Sequence, residues 1–260
     1  MSNTELLTRN IAWEIIKKSS SHNRRLSDVT SERLRKEGDL LNNQERRFVT
    51  MLVRGTVRLS GRLDWELRQL FFGEYNDLKE NLRILLRLGA YQILNMKSIP
   101  DYAAVSTTVQ LAKRIHLNLG GLTNALLRAL INKEDQKEPD ENSPISFLSD
   151  YLSHPQWLIK KWIKDRDYSR ARALAEWNNE SPSLWFRINR INYTTSKFKK
   201  YLKKQNITFE QFKHIPEFFK TNKNQELLKS QIFIDGKLSI QDPAAGLVIC
   251  LLKPNSNDQI

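Results

Sequence analysis

The sequence predicts a mainly α protein, an all-α helical bundle followed by a small α+β domain. Three observations lead there. Apolar residues recur at helical spacing from Leu7 to Leu130. An aperiodic acidic stretch, KEDQKEPDENSPIS (133–146), then interrupts the pattern. Beyond it the apolar period shortens towards two in SLWFRINR (183–190) and KLSIQD (237–242), the mark of strands among helices.

Residues 4–18 place Leu7, Ile11 and Ile15 on one face, with Arg9, Lys17 and Lys18 elsewhere. SDVTSERLRKEG is expected to be a helix capped at Asp28 or Ser31 and stopped at Gly38. Asn43 to Phe71 reads as one or two long helices, with Phe48, Leu52 and Val53 opposite Arg46, Arg47 and Arg54. Leu82 to Met96 is apolar nearly all round, which places it at the bundle's centre. Gly89 in its middle costs about 1 kcal/mol against alanine, so a close helix approach is expected there. Pro100 and Asp101 recap the chain before Tyr102 to Ile115, and Gly120-Gly121 is expected to break it before LTNALLRAL. After the spacer, HPQWLIKKWI and YSRARALAEWNN are amphipathic helices that set Trp157, Trp162 and Trp177 among aliphatics. A strand at 183–190, the basic helix TTSKFKKYLKKQN, an extended TFEQFKHIPEFFK, a short helix at NQELLKSQ and a strand at 237–242 complete the second body.

Charge follows the same division. Residues 1–132 carry 21 Lys+Arg against 13 Asp+Glu, residues 133–150 carry 2 against 6, and residues 151–260 carry 19 against 10, within a total of +13. Two basic bodies about an acidic linker predict attraction to a polyanion, nucleic acid first, because each cation set against a phosphate releases condensed counterions. The cations are dispersed rather than gathered beside one amphipathic segment, which argues against a membrane partner. No apolar run approaches membrane-spanning length, and the first residues lack a signal peptide's apolar core. One cysteine, Cys250, precludes an intramolecular disulfide and points to a reducing, cytoplasmic setting. Its run, LVICLL, makes it a small buried hydrophobe by expectation. The four histidines, His22, His116, His154 and His214, have no metal-ligand spacing, so no metal site is expected. Walker A, G-x-G-x-x-G and G-x-S-x-G patterns do not occur.

RNIAW, LLRLGAYQIL, IPDYAAVSTTVQLAK and TNALLRAL, in that order and spacing, resemble the domain shared by the antitermination factor NusB and the Sun/Fmu (RsmB) family of 16S rRNA cytosine-C5 methyltransferases. HPQWLIKKW, SLWFRIN with the helix after it, and GKLSIQDPAAGLVICLLKP resemble the methyltransferases alone. The resemblance implies an NusB-like bundle at 1–132, an acidic linker at 133–150, a small α+β domain at 151–240, and at 241–260 the start of a catalytic domain using S-adenosylmethionine. The family's D-x-C-A-A-P-G-G-K-T cofactor motif and Pro-Cys nucleophile motif do not occur in these residues, so no catalytic residue is carried over and the chain alone is expected to be inactive. Gln241 and Asp242 correspond to the segment passing the methionine end of the cofactor, although Asp242 also reads simply as the cap of a helix starting at Pro243.

The partner implied is 16S rRNA. Arg9, Arg46, Arg47 and Arg54 are the expected phosphate contacts of the bundle, extended by Lys17, Lys18, Arg24 and Arg25. Lys197, Lys200 and Lys204, with Lys199 and Lys203, form a basic helix face suited to phosphates or simply to solvent. Arg83, Arg87 and Arg128 lie on buried-looking helices, where pairing with carboxylates or helix ends is expected instead. A free-standing NusB-type adaptor in antitermination or ribosome assembly is the alternative function.

Overall fold

The computed structural model describes residues 3–132 and 143–255, and these fall into two compact units, 1–180 and 181–260. The first unit opens with seven helices: α1 (Asn3–Ser21), α2 (Leu26–Lys36), α3 (Asn43–Arg58), α4 (Ser60–Leu70), α5 (Glu80–Asn95), α6 (Asp101–Ile115) and α7 (Leu119–Ile131). α5 is the central helix, as its all-round apolar pattern requires, with Leu85, Leu86 and Ala90 wholly buried. A Cβ on Gly89 would lie 2.7 Å from Leu127 of α7 and 3.1 Å from Thr108 of α6, so the glycine serves a close three-helix approach. Gly55 does the same between α3 and α5, where the Tyr91 ring occupies the space a side chain would need.

Local signals fix the helix ends. Asn42 accepts from the backbone N–H groups of Gln44 and Glu45 while Glu45 accepts from Asn42, a capping box that starts α3. α2 begins at Leu26, earlier than its expected caps, so Asp28 lies in its first turn; Gly38, at φ +39°, takes the left-handed turn beyond its end. Gly120 and Gly121 sit inside the first turn of α7 rather than before it, because the chain already breaks at His116–Asn118.

The stretch expected as an acidic linker divides. Residues 133–142 lie outside the described residues. Residues 143–150 are folded: α8 (Pro144–Ser146) runs into a π-helical turn (Phe147–Tyr151). Phe147, Leu148 and Leu152 join α9 (Gln156–Asp165) and α10 (Tyr168–Asn179) in a separate small core with Ile159, Ala171 and Ala175. The Arg62 guanidinium on α4 lies 3.5 Å from the Tyr151 ring centre and 5.2 Å from that of Trp65. Its backbone N–H donates to Ser153 Oγ at 2.8 Å. By compactness α9 and α10 fall in the first unit, with the bundle.

The second unit contains β1 (Trp185–Ile188), α11 (Thr195–Lys204), β2 (Phe209–Gln211), β3 (Phe218–Thr221), α12 (Asn224–Leu228), α13 (Gln231–Ile234), β4 (Leu238–Ile240) and α14 (Pro243–Leu252). The sheet is antiparallel in the order β2-β3-β1-β4, with Phe186 opposite Phe219 and Ile240, and Ile188 opposite Leu238. Phe198 and Leu202 of α11 pack with Phe186, Ile188 and Phe219 in its core. Asp242 caps α14 by accepting from Ala244 N at 2.7 Å. α14 is apolar all round yet leaves Val248, Ile249, Leu251 and Leu252 exposed, and Cys250 with them, contrary to its expected burial.

Candidate nucleic-acid interface

The basic residues sort by what already holds them. Arg9 is 4% exposed: its Nε donates to Gln92 Oε1 at 2.7 Å, Nη1 donates to Glu5 O at 3.0 Å, and the guanidinium stacks 5.0 Å from the Phe48 ring centre. Burial pulls its pKa below the ordinary arginine value, with Glu5 opposing. Arg9 thus bonds the first helix to the central one, and its burial takes it away from the solvent-facing role expected of it.

Arg46 is also committed. Its guanidinium donates to Leu34 O at 2.8 Å, Leu41 O at 3.0 Å and Gly38 O, clamping the turn between α2 and α3. Arg47 and Arg54, about one and three turns along α3 and two turns apart, are exposed and have no carboxylate partner among the described residues. With Asn43, Thr50 and Met51 they line a shallow depression of about 400 Å³. Lys18 and Arg24 lie 3.1 and 2.9 Å from Glu32, and their hydrogen bonds hold its carboxyl down at about 2, so the expected extension of the patch is largely spent on an internal ion pair. Lys17 sits 4.9 Å over the Trp13 ring.

The arginines expected to pair do so in part. Arg87 makes a two-bonded pair with Asp64, at 2.6 and 2.5 Å, and Tyr75 Oη donates to the same carboxylate at 3.0 Å. The Arg83 Nε is buried without a hydrogen-bond partner, and exposed Arg128 donates to Asn124 at 3.1 Å.

In the second unit Thr194 caps α11 and the apolar Phe198 and Leu202 fix its inner face. Lys197, Lys200, Lys203 and Lys204 are consequently exposed and Lys199 half-buried, none with a carboxylate partner among the described residues. Gln241 Oε1 accepts from Arg187 at 3.0 Å, and Asp242 is taken by the start of α14. Each of these side chains thus has one oxygen engaged inside the unit. Trp157 and Trp177, expected in helix packing, are 67% and 68% exposed, while Trp162 packs beside His154. Helical spacing locates a residue on a helix; it does not say which faces find a partner. Among the described residues no cluster of three metal-ligating side chains forms, and no helix is long and apolar enough to cross a membrane.

Residues 7–132 match the NusB family, and residues 154–226 match the Methyltr_RsmF/B-like, ferredoxin-like domain. The second match reaches back over α9 and α10, grouping them with the sheet as the sequence does. Ribosomal RNA small subunit methyltransferase B of Proteus mirabilis (strain HI4320) is 29% identical over 256 residues, covering 97% of this chain and 58% of that protein. The probable ribosomal RNA small subunit methyltransferase B of Bacillus subtilis (strain 168) is 27% identical over 253 residues, covering 97% and 56%. The crystal structure of PH0851 shares the fold, with a TM-score of 0.61 at 17% identity over 98% of this chain and 57% of that one. The chain spans less than three fifths of the length of these relatives. It is built of a NusB-like helical domain followed by a small ferredoxin-like α+β domain, with homologues among the small-subunit rRNA methyltransferases.

Proposed function

We propose that this chain is the RNA-handling part of a 16S rRNA cytosine-C5 methyltransferase, acting in the cytoplasm. The observation that carries the reading is the 97% coverage of this chain by proteins named small-subunit rRNA methyltransferase B, over both domains. Two sets of uncommitted cations supply the chemistry: Arg47 and Arg54 on α3, and Lys197, Lys200 and Lys204 on α11. Such cations bind phosphates and fix the register of an RNA without reading its sequence. Arg46 contributes charge beside the first set while its guanidinium holds the turn.

Methyl transfer from S-adenosylmethionine is not assigned to these residues. Gln241 and Asp242 border the cofactor only in company with a domain that holds it, and the chain alone is proposed to bind RNA without methylating it. RNA titrations over a salt series test the reading: the log-log slope is expected between roughly −4 and −6 if about five to seven phosphates are neutralised. A salt-independent complex, or none at low salt, refutes it. Calorimetry showing micromolar S-adenosylmethionine binding to the chain alone refutes the assignment of methyl transfer elsewhere.

A further inference from the structure

α11 covers one side of the four-stranded sheet, and on the other α14 covers only the part around Phe218. We propose that the opposite face is a stacking platform for the bases of single-stranded RNA, a proposal that rests on the RNA-binding reading above and adds a second, chemically different surface to it. Alternation along the strands sets the two faces apart. Phe186, Ile188, Phe219 and Leu238 turn towards α11. Trp185 and Arg187 of β1 and Lys220 of β3 turn the other way, with Trp185 opposite Lys220 in register. Phe212 continues the alternation of β2, its N–H donating to Phe218 O at 2.9 Å.

Three aromatic rings meet on that face. Phe212 lies 5.8 Å from Trp185 and 5.6 Å from His214, both edge to face. His214 is exposed, and Trp185 and Phe212 are partly so. The apolar residue of this face that needs a core already has one: Phe218 is 1% exposed and lies against Gly246 of α14. The rings left open are instead interleaved with cations. Arg187 is exposed while donating to Gln241, Lys213 is exposed, and the Lys220 side chain is 43% exposed at 3.9 Å from Glu210.

Accessible rings beside cations match a single strand, whose splayed bases stack on aromatic rings while its phosphates meet the charges. A duplex hides its base faces and is matched only by phosphate tracking. The whole unit carries 13 Lys+Arg against 6 Asp+Glu, the charge complement of such a ligand. The lysines of α11 lie on the far side of the sheet, so the two surfaces are separable by mutation.

The experiment is fluorescence anisotropy on the full 260-residue chain with a labelled 10-nucleotide single-stranded RNA and with the same sequence as a duplex. Trp185→Leu combined with His214→Ala is expected to weaken single-strand binding about ten-fold or more, the scale of one lost base stack, while duplex binding stays within two-fold. Lys197, Lys200 and Lys204 all changed to Gln are expected to weaken both ligands alike. Because Trp185 also packs, His214→Ala with Lys220→Gln, both at accessible positions, is the second variant and is expected to keep the parent's melting temperature while losing single-strand affinity. If the parent binds both RNAs and neither variant discriminates between them, the platform is overturned and the phosphate reading stands. If the parent binds neither RNA, both fall. If sedimentation shows the parent as a dimer that Trp185→Leu dissolves, the face is a protein interface and the proposal is overturned.

Discussion

Arg46 offers the sharpest separation of fold from function, because position on the helix marks it for RNA while its contacts mark it for structure. Its guanidinium is the common donor to three carbonyls, those of Leu34, Gly38 and Leu41, drawn from the end of α2 and the turn that enters α3. Hydrogen bonds to a charged group contribute about 1.5–3 kcal/mol each when measured singly. The site is only half-buried, so water replaces part of what is lost, and Arg46→Ala is expected to cost about 2–3 kcal/mol in total. Arg46→Lys keeps the charge but places a compact ammonium where a planar fork spans three acceptors, so it should restore less than half of the stability. Urea unfolding of both variants reads the first quantity, and RNA anisotropy at fixed salt the second. The clamp predicts that Lys rescues RNA affinity in the folded protein more completely than it rescues stability. Were Arg46→Ala to unfold at the parent's urea midpoint while losing RNA tenfold, the guanidinium would be an RNA contact and the clamp idle.

Three further outcomes follow from the same geometry. Arg47→Glu with Arg54→Glu should leave the melting temperature within a few degrees of the parent and weaken RNA binding, with a salt slope shallower by about 1.5 or more, as anisotropy over a salt series would show. Arg87→Met leaves the Asp64 carboxylate half-buried with the Tyr75 hydroxyl and should cost about 3–5 kcal/mol in a urea titration. The Glu32 carboxyl, held at about 2 by Lys18 and Arg24 against an ordinary value of 4.5, is lowered on folding. Its contribution is therefore present above about pH 4.5 and is lost as pH falls towards 2, so thermal melts of Glu32→Gln should lose less stability than the parent across that window.

Much of the fold is legible because local signals and periodicity act on the same residues. The apolar girth of α5 forces it to the centre, and Gly89 marks the crossing there; Asp242 and Pro243 announce α14 together. The strands at 185–188 and 238–240 are visible because alternation also sorts their side chains between two faces. What local pattern does not carry is the pairing of faces. Arg9 and Arg47 look alike in sequence, yet Gln92, 83 residues away, captures the first. Trp157 and Cys250 sit in apolar helical contexts whose neighbouring faces stay open. Residues 143–150 follow an acidic, Pro-containing run and hide one aromatic core residue, Phe147, behind a linker-like composition, with Tyr151 just beyond stacked on it. The rings of Trp185, Phe212 and His214 come together only through strand register.

The α3 helix that presents Arg47 and Arg54 is itself positioned by Gly55, and this gives a last prediction. A Cβ at residue 55 would overlap Tyr91 Cζ and the hydroxyl oxygen it carries, well inside contact distance. Gly→Ala in a helix interior gains about 1 kcal/mol of propensity. Against it, the 7%-exposed Tyr91 ring must leave its site or α3 and α5 must separate, and vacating a buried aromatic site costs about 3–5 kcal/mol. Gly55→Ala is thus expected to destabilise by about 2–4 kcal/mol. Tyr91→Leu removes the atoms that clash, so in the Gly55→Ala background it should cost little or even stabilise, whereas with Gly55 it opens a cavity and destabilises. The double-mutant cycle by urea unfolding should show the two changes compensating by more than about 1 kcal/mol. Additive costs, or a Gly55→Ala protein as stable as the parent, would mean that the ring yields freely and that the glycine does not set the α3–α5 approach.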